Sequence, residues 1–168
     1  MMSRNHIMLY LLLPALFFCR FHYQAIAQKP VGDIPPFKIL QTNGRYFSAA
    51  DLPKNKPVVL IYFSPDCEHC QVLMDQLFPK INAFKNAELV MVTFKPVEEL
   101  AGFEKKYQTY KYPNIKVGTE GTTFFLRYYY RLTNTPFTIV YNKNGKVVCN
   151  YRMQTPVDDL ISQIKKLG

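Results

Sequence analysis

The sequence predicts an α/β sandwich, and three observations carry that prediction. Continuous apolar, β-branched runs at 58–63 and 89–94 suit strands buried on both faces. Segments after each of them place apolar residues at three- and four-residue steps, the period of an amphipathic helix. A hairpin signal and a well-marked terminal helix then close the chain. Strand, helix, strand, helix, hairpin and helix in that order describe a sheet covered by helices. The first parallel pair is expected to be joined by a right-handed crossover.

Length, composition and the N-terminal segment bound the domain. A length of 168 residues leaves room for one domain, and 48% hydrophobic with 15% aromatic residues is the composition of a packed protein. Arg4, the apolar run from Ile7 to Cys19 and Ala25-Ile26-Ala27 have the layout of a secretory signal peptide over 1–27. The run is short of the roughly 20 apolar residues that a membrane span needs. Arg20 leaves an uncleaved anchor as the alternative, and bulky Phe18 argues against lipidation at Cys19. The exported chain is expected to begin at Gln28. Loss of Arg4 and Arg20, the only charged residues in 1–27, lowers the formal charge from +9 to +7. The lysines are scattered, which describes a solvated surface and not a nucleic-acid site.

Residues 28–36 read as an extended lead-in, because their prolines exclude a helix. Asn43-Gly44, between 37–40 and 45–47, marks a short hairpin. From Cys67 a single helix is expected to carry Cys70, Leu73, Met74, Leu77, Ile81 and Phe84 on one face. Pro96 is expected to start the next helix, with Leu100, Phe103 and Tyr107 inward. A short strand is predicted at 115–117, a helix at 124–130, and a hairpin at 137–141 and 146–151 around Asn142-Lys143-Asn144-Gly145. Thr155 is predicted to cap the last helix and Pro156 to start it. Val157, Leu160, Ile161, Ile164 and Leu167 form its buried face.

The chemistry is concentrated at Cys67-Glu68-His69-Cys70, where a buried strand turns into a helix. At a helix N-terminus, free N–H groups and the positive end of the dipole stabilise a thiolate at Cys67. Cys70, one turn inward on the apolar face, is expected to be sheltered and close enough to resolve a mixed disulfide. A structural zinc site needs about four ligands. After residue 27 the only other candidates are Cys149 and His69, since His6 and His22 belong to the leader. No metal or other cofactor is therefore expected. So short a loop also gains little stability from a disulfide. The spacing and position point to redox chemistry. Cys149 is expected to pack as a small hydrophobe.

The strand, the Cys-x-x-Cys helix and the downstream Thr135-Pro136 before a strand resemble the thioredoxin superfamily over residues 35–168. Ile34-Pro35-Pro36-Phe37 and the Asn43-Gly44 hairpin resemble its TlpA/ResA-like branch of exported disulfide reductases. The resemblance implies a thioredoxin-like three-layer sandwich over 37–168 with an N-terminal β-hairpin extension. It implies a periplasmic or cell-envelope location after cleavage. Cys67 would exchange and Cys70 resolve, while a cis Pro136 faces the sulfurs and Thr135 presents backbone groups to an extended substrate. Expected partners are client proteins with thiols or disulfides and an upstream redox partner. No nucleic acid is expected, and the protein is expected to be a monomer.

Three positions depart from the pattern. Asp66 replaces the Trp before the first Cys, Ile61 a buried carboxylate, and Leu73 the Glu of TlpA/ResA-like proteins. Both familiar proton-transfer carboxylates are thus missing. His69 is expected to tune Cys67 with its cation, opposed by Glu68, and Glu68 itself reads foremost as an exposed helix-start acid. The run Arg127-Tyr128-Tyr129-Tyr130-Arg131 is a candidate wall for a substrate groove, with core packing as the alternative. Two rival functions remain. One is a peroxiredoxin-like peroxidase, supported by Ser64 three residues before Cys67 but opposed by Leu60 where that family has Pro. The other is a Cu(I)-binding protein using two thiolates.

Overall fold

Alternate residues of the central strands feed opposite faces of the sheet, as the period of two requires. On β3 (Val58–Tyr62) and just after it, Val59, Ile61 and Phe63 join one hydrophobic core, while Val58, Leu60 and Tyr62 join another. On β4 (Glu88–Thr93), Leu89 and Met91 face the first core and Val90 and Val92 the second. Both strands are buried along their whole length. The structure is a computed structural model and describes residues 33–168. The predicted leader at 1–27, with its cleavage point before Gln28, lies outside the described residues.

Seven strands form one sheet in the order β2-β1-β5-β4-β3-β6-β7. β5 (Ile115–Thr119) and β3 run parallel to β4 on either side of it. The hairpin of β6 (Phe137–Tyr141) and β7 (Val147–Arg152) adds antiparallel beside β3. The N-terminal hairpin of β1 (Lys38–Leu40) and β2 (Tyr46–Ser48) adds at the other edge through Leu40 and Thr119. Its close approach needs Gly118: a Cβ there would stand 2.9 Å from the Ile39 side chain and from the Leu40 carbonyl oxygen. Helices α1 (Glu68–Leu77), α2 (Val97–Tyr107) and α4 (Val157–Leu167) cover the first core. The short α3 (Phe125–Tyr129) and the N-terminal hairpin cover the second. The fold is thus the expected thioredoxin-like sandwich with its hairpin extension.

Several elements differ from expectation for local reasons. The helix from Cys67 ends at Leu77, and the chain continues to Phe84 as a 3-10 helix with Pro79 in its first turn. Proline has no N–H for the α-helical bond and clashes with the preceding turn. Ile81 and Phe84 remain buried all the same. Pro96 and Pro156 stand one residue outside their helices, in extended backbone conformations. Thr155 does not cap α4, because its hydroxyl is bonded to that of buried Thr138 across 2.8 Å. α3 begins after Phe124, which adopts a left-handed φ of 46°.

Candidate active site

The site forms where β3 hands over to α1. The Phe63 N–H still bonds to the Val92 carbonyl, then Ser64-Pro65-Asp66 turns the chain and Cys67 donates its N–H to the Ser64 carbonyl. Cys67 occupies the N-cap with extended backbone angles, and its carbonyl accepts the Gln71 N–H. Its thiol is therefore the side chain beside the unpaired N–H groups of the first turn. Cys70 lies one turn on and is only 1% exposed, packed with Leu73 and Met74 in the first core.

The two sulfurs are held in opposite senses. Desolvation pushes Cys67 upward, but hydrogen bonds from the Cys70 thiol, the Thr135 hydroxyl and the Cys70 and His69 N–H groups outweigh it. The net result is a thiol below its ordinary value. Burial, followed by the hydrogen bond with Cys67, pushes Cys70 up to about 12. Thr135 and Pro136 are joined by a cis peptide bond, and the Cys67 thiol donates to the Thr135 carbonyl at 3.6 Å. That contact favours the protonated thiol, whereas the N–H groups favour the thiolate.

Around Cys67 opens a groove of about 280 Å³ whose lining includes His69, Thr135, Tyr62, Phe94 and Arg127. A smaller, separate hollow of about 200 Å³ reaches Cys70 between Phe63, Met74, Phe103 and Tyr107. Asp66, in the place of the missing Trp, is bonded by Lys95 Nζ at 2.6 Å and by the Ser64 hydroxyl. The Lys95 ammonium, with Ser64, holds its carboxyl below the usual range.

The structure brings Cys67, Cys70, His69, Thr135 and Pro136 together. Glu68 is exposed in the first turn of α1 and does not line the groove. Of the aromatic run, Arg127 lines the groove, while Tyr130 is buried against Tyr141 in the second core and Arg131 is exposed. Cys149 is half-buried against the first core, 3.6 Å from the Tyr151 hydroxyl. Sequence reasoning missed Lys95 and Glu120. Lys95 lies two residues after β4 and Glu120 directly after β5, at the carboxyl ends where open α/β sheets place their sites. Glu120 is buried and accepts bonds from the Tyr62 hydroxyl and the Leu126 N–H, both at 2.7 Å. Among the described residues no group of three or more His, Cys, Asp or Glu side chains could hold a metal ion. No helix among them is long and apolar enough to cross a membrane.

The fold, the Cys-x-x-Cys motif at the start of α1 and a family-model match over residues 31–163 place the chain in the thioredoxin superfamily. More narrowly, the chain belongs to the AhpC/TSA family, whose model matches residues 31–163. The fold is shared with a putative thioredoxin from Neisseria meningitidis, at 20% identity and TM-score 0.64, over 79% of this chain and 87% of that one. It is shared with a secreted Mycobacterium tuberculosis disulfide oxidoreductase homologous to E. coli DsbE, at 21% identity and TM-score 0.65, over 79% and 96%. A peroxiredoxin-like protein from Aquifex aeolicus aligns at 13% identity and TM-score 0.66, over 80% and 85%. No curated protein sequence matches the chain.

Proposed function

We propose that the protein is an exported thiol–disulfide oxidoreductase that exchanges disulfides with partner proteins through Cys67 and Cys70. The observation that carries this reading is the inequality of the two thiols: Cys67 is accessible and held low, Cys70 buried and held high. In the reducing direction the Cys67 thiolate attacks a client disulfide, forming a mixed disulfide and expelling one client thiolate, which takes up a proton. Cys70 then loses its proton and attacks the Cys67 sulfur. The Cys67–Cys70 disulfide forms, the client leaves with two thiols, and two electrons have passed to it. An upstream dithiol restores the pair. The reverse sequence oxidises a client.

An extended client is proposed to lie against Thr135, whose cis-linked backbone faces Cys67. The secreted neighbour among the solved structures and the predicted leader support a location in the periplasm or cell envelope. Family membership also supports a second reading, reduction of peroxide at Cys67. Against it, the Ser64 hydroxyl is bonded to Asp66 and not to the sulfur.

The test is a pair of substitutions. Cys67→Ser should abolish reduction of a protein disulfide, and Cys70→Ser should accumulate mixed disulfides visible on non-reducing gels. Normal turnover by Cys67→Ser would refute the assignment. Peroxide consumption faster than disulfide exchange would favour the second reading.

A further inference from the structure

We infer that the groove beside Cys67 selects client segments with a carboxylate next to their cysteine, and that Arg127 binds that carboxylate. The inference rests on disulfide exchange at Cys67 and names its substrate class. The Arg127 guanidinium lies over the rings of Phe94 and Phe124, 5.5 and 5.8 Å from their centroids. Stacking of this kind fixes a planar cation while leaving its N–H donors free at the edge. Among the described residues no carboxylate pairs with Arg127. Residues 1–32 contain no Asp or Glu at all.

The position of this cation is fixed from behind. Buried Glu120 accepts the N–H of Leu126, the residue before Arg127, and the Arg127 carbonyl accepts the Leu132 N–H at 2.9 Å. Glu120 takes its hydrogen bonds from Leu126 and Tyr62, and it forms no ion pair with the guanidinium. Asp66, the acid beside Cys67 in sequence, is bonded to Lys95 and Ser64. No acidic side chain lines the groove, while Arg127 and His69 do. A client lying along Thr135 thus meets an oriented cation whose donors are unused among the described residues. A carboxylate takes such donors in a charge-assisted, bidentate pair.

The experiment measures second-order reduction of blocked peptide disulfides by the pre-reduced protein in a single turnover. The peptides differ only in having Glu, Gln or Lys beside the cysteine. Each rate is divided by that with free dithiothreitol, which removes the intrinsic effect of a nearby charge on the disulfide. The Glu peptide should exceed the Gln peptide by about tenfold, the scale of one charge-assisted contact, and the Lys peptide should be slowest. Arg127→Gln should bring the ratio of Glu-peptide to Gln-peptide rates close to one. Arg131→Gln, an equal charge change outside the groove lining, should retain the preference. In the wild type the preference should shrink as salt rises, a readout that needs no variant to fold.

Equal normalised rates for the three peptides would overturn the inference while leaving disulfide exchange intact. So would a preference that survives Arg127→Gln, or that both variants reduce alike. Failure of the wild type to reduce any peptide or protein disulfide would instead remove the proposed function itself.

Discussion

The two faces of the sheet are built differently, and the site depends on both. The first is covered by α1, α2 and α4, with mostly aliphatic side chains at helical spacing, and it takes in Cys70. The second is covered by one five-residue helix and a hairpin, and it is filled with aromatics such as Phe37, Tyr62, Tyr130, Phe137 and Tyr141. Its buried hydroxyls are paired: Tyr62 with Glu120, Tyr130 with Tyr141. A regular, apolar face desolvates Cys70 and keeps its proton on. The aromatic, hydrogen-bonded face supplies Tyr62, Leu132 and Arg127 to the groove in front of Cys67. In the proposed function, reactivity is thus tied to the first face and client recognition to the second.

Two substitutions can separate these roles. Leu77→Ala empties a fully buried position at the end of α1 and should cost about 2–5 kcal/mol in urea unfolding. It should leave the ratio of acidic to neutral peptide rates unchanged. Glu120→Leu strands the Tyr62 hydroxyl and the Leu126 N–H in the interior. Each orphaned group should cost about 1–3 kcal/mol, a loss comparable to that of Leu77→Ala, yet this substitution should also reduce the acidic preference because α3 loses the bond that seats Arg127. A Leu77→Ala protein with altered selectivity, or a Glu120→Leu protein with none altered, would break the division.

The same contrast explains what was legible in the sequence. On the first face, the three- and four-residue spacing from Cys70 to Leu77 gave both the helix and the sheltered sulfur, since the information is local. The expected extension to Phe84 as α-helix failed only because the burial period was followed across Pro79. Thr155 has the chemistry of a cap, but Thr138, distant in sequence, claims its hydroxyl. On the second face the decisive pairs join residues far apart along the chain: Tyr62 with Glu120, and Arg127 with Phe94. No periodicity encodes those contacts. The Arg127–Arg131 run therefore suggested a groove wall without showing which arginine formed it.

The smallest expected effect concerns His69. From the sequence alone, an imidazolium between the cysteines is the natural source of thiolate stabilisation. In the structure, the hydrogen bonds that hold Cys67 low come from the Cys70 thiol, the Thr135 hydroxyl and two backbone N–H groups, one of them that of His69 itself. His69→Ala keeps that N–H and removes only the ring. If the imidazole charge governed Cys67, its pKa should rise by roughly one unit and the pair's potential should fall by roughly 30 mV. With the backbone in control, both changes should stay under about half of that. Thiolate absorbance against pH and equilibration with glutathione measure the two quantities independently. A full-unit rise in the Cys67 midpoint would return the tuning role to the side chain. A small shift would leave the reactivity of Cys67 with the turn that β3 and α1 build, and would assign the His69 ring to the groove wall beside the bound client.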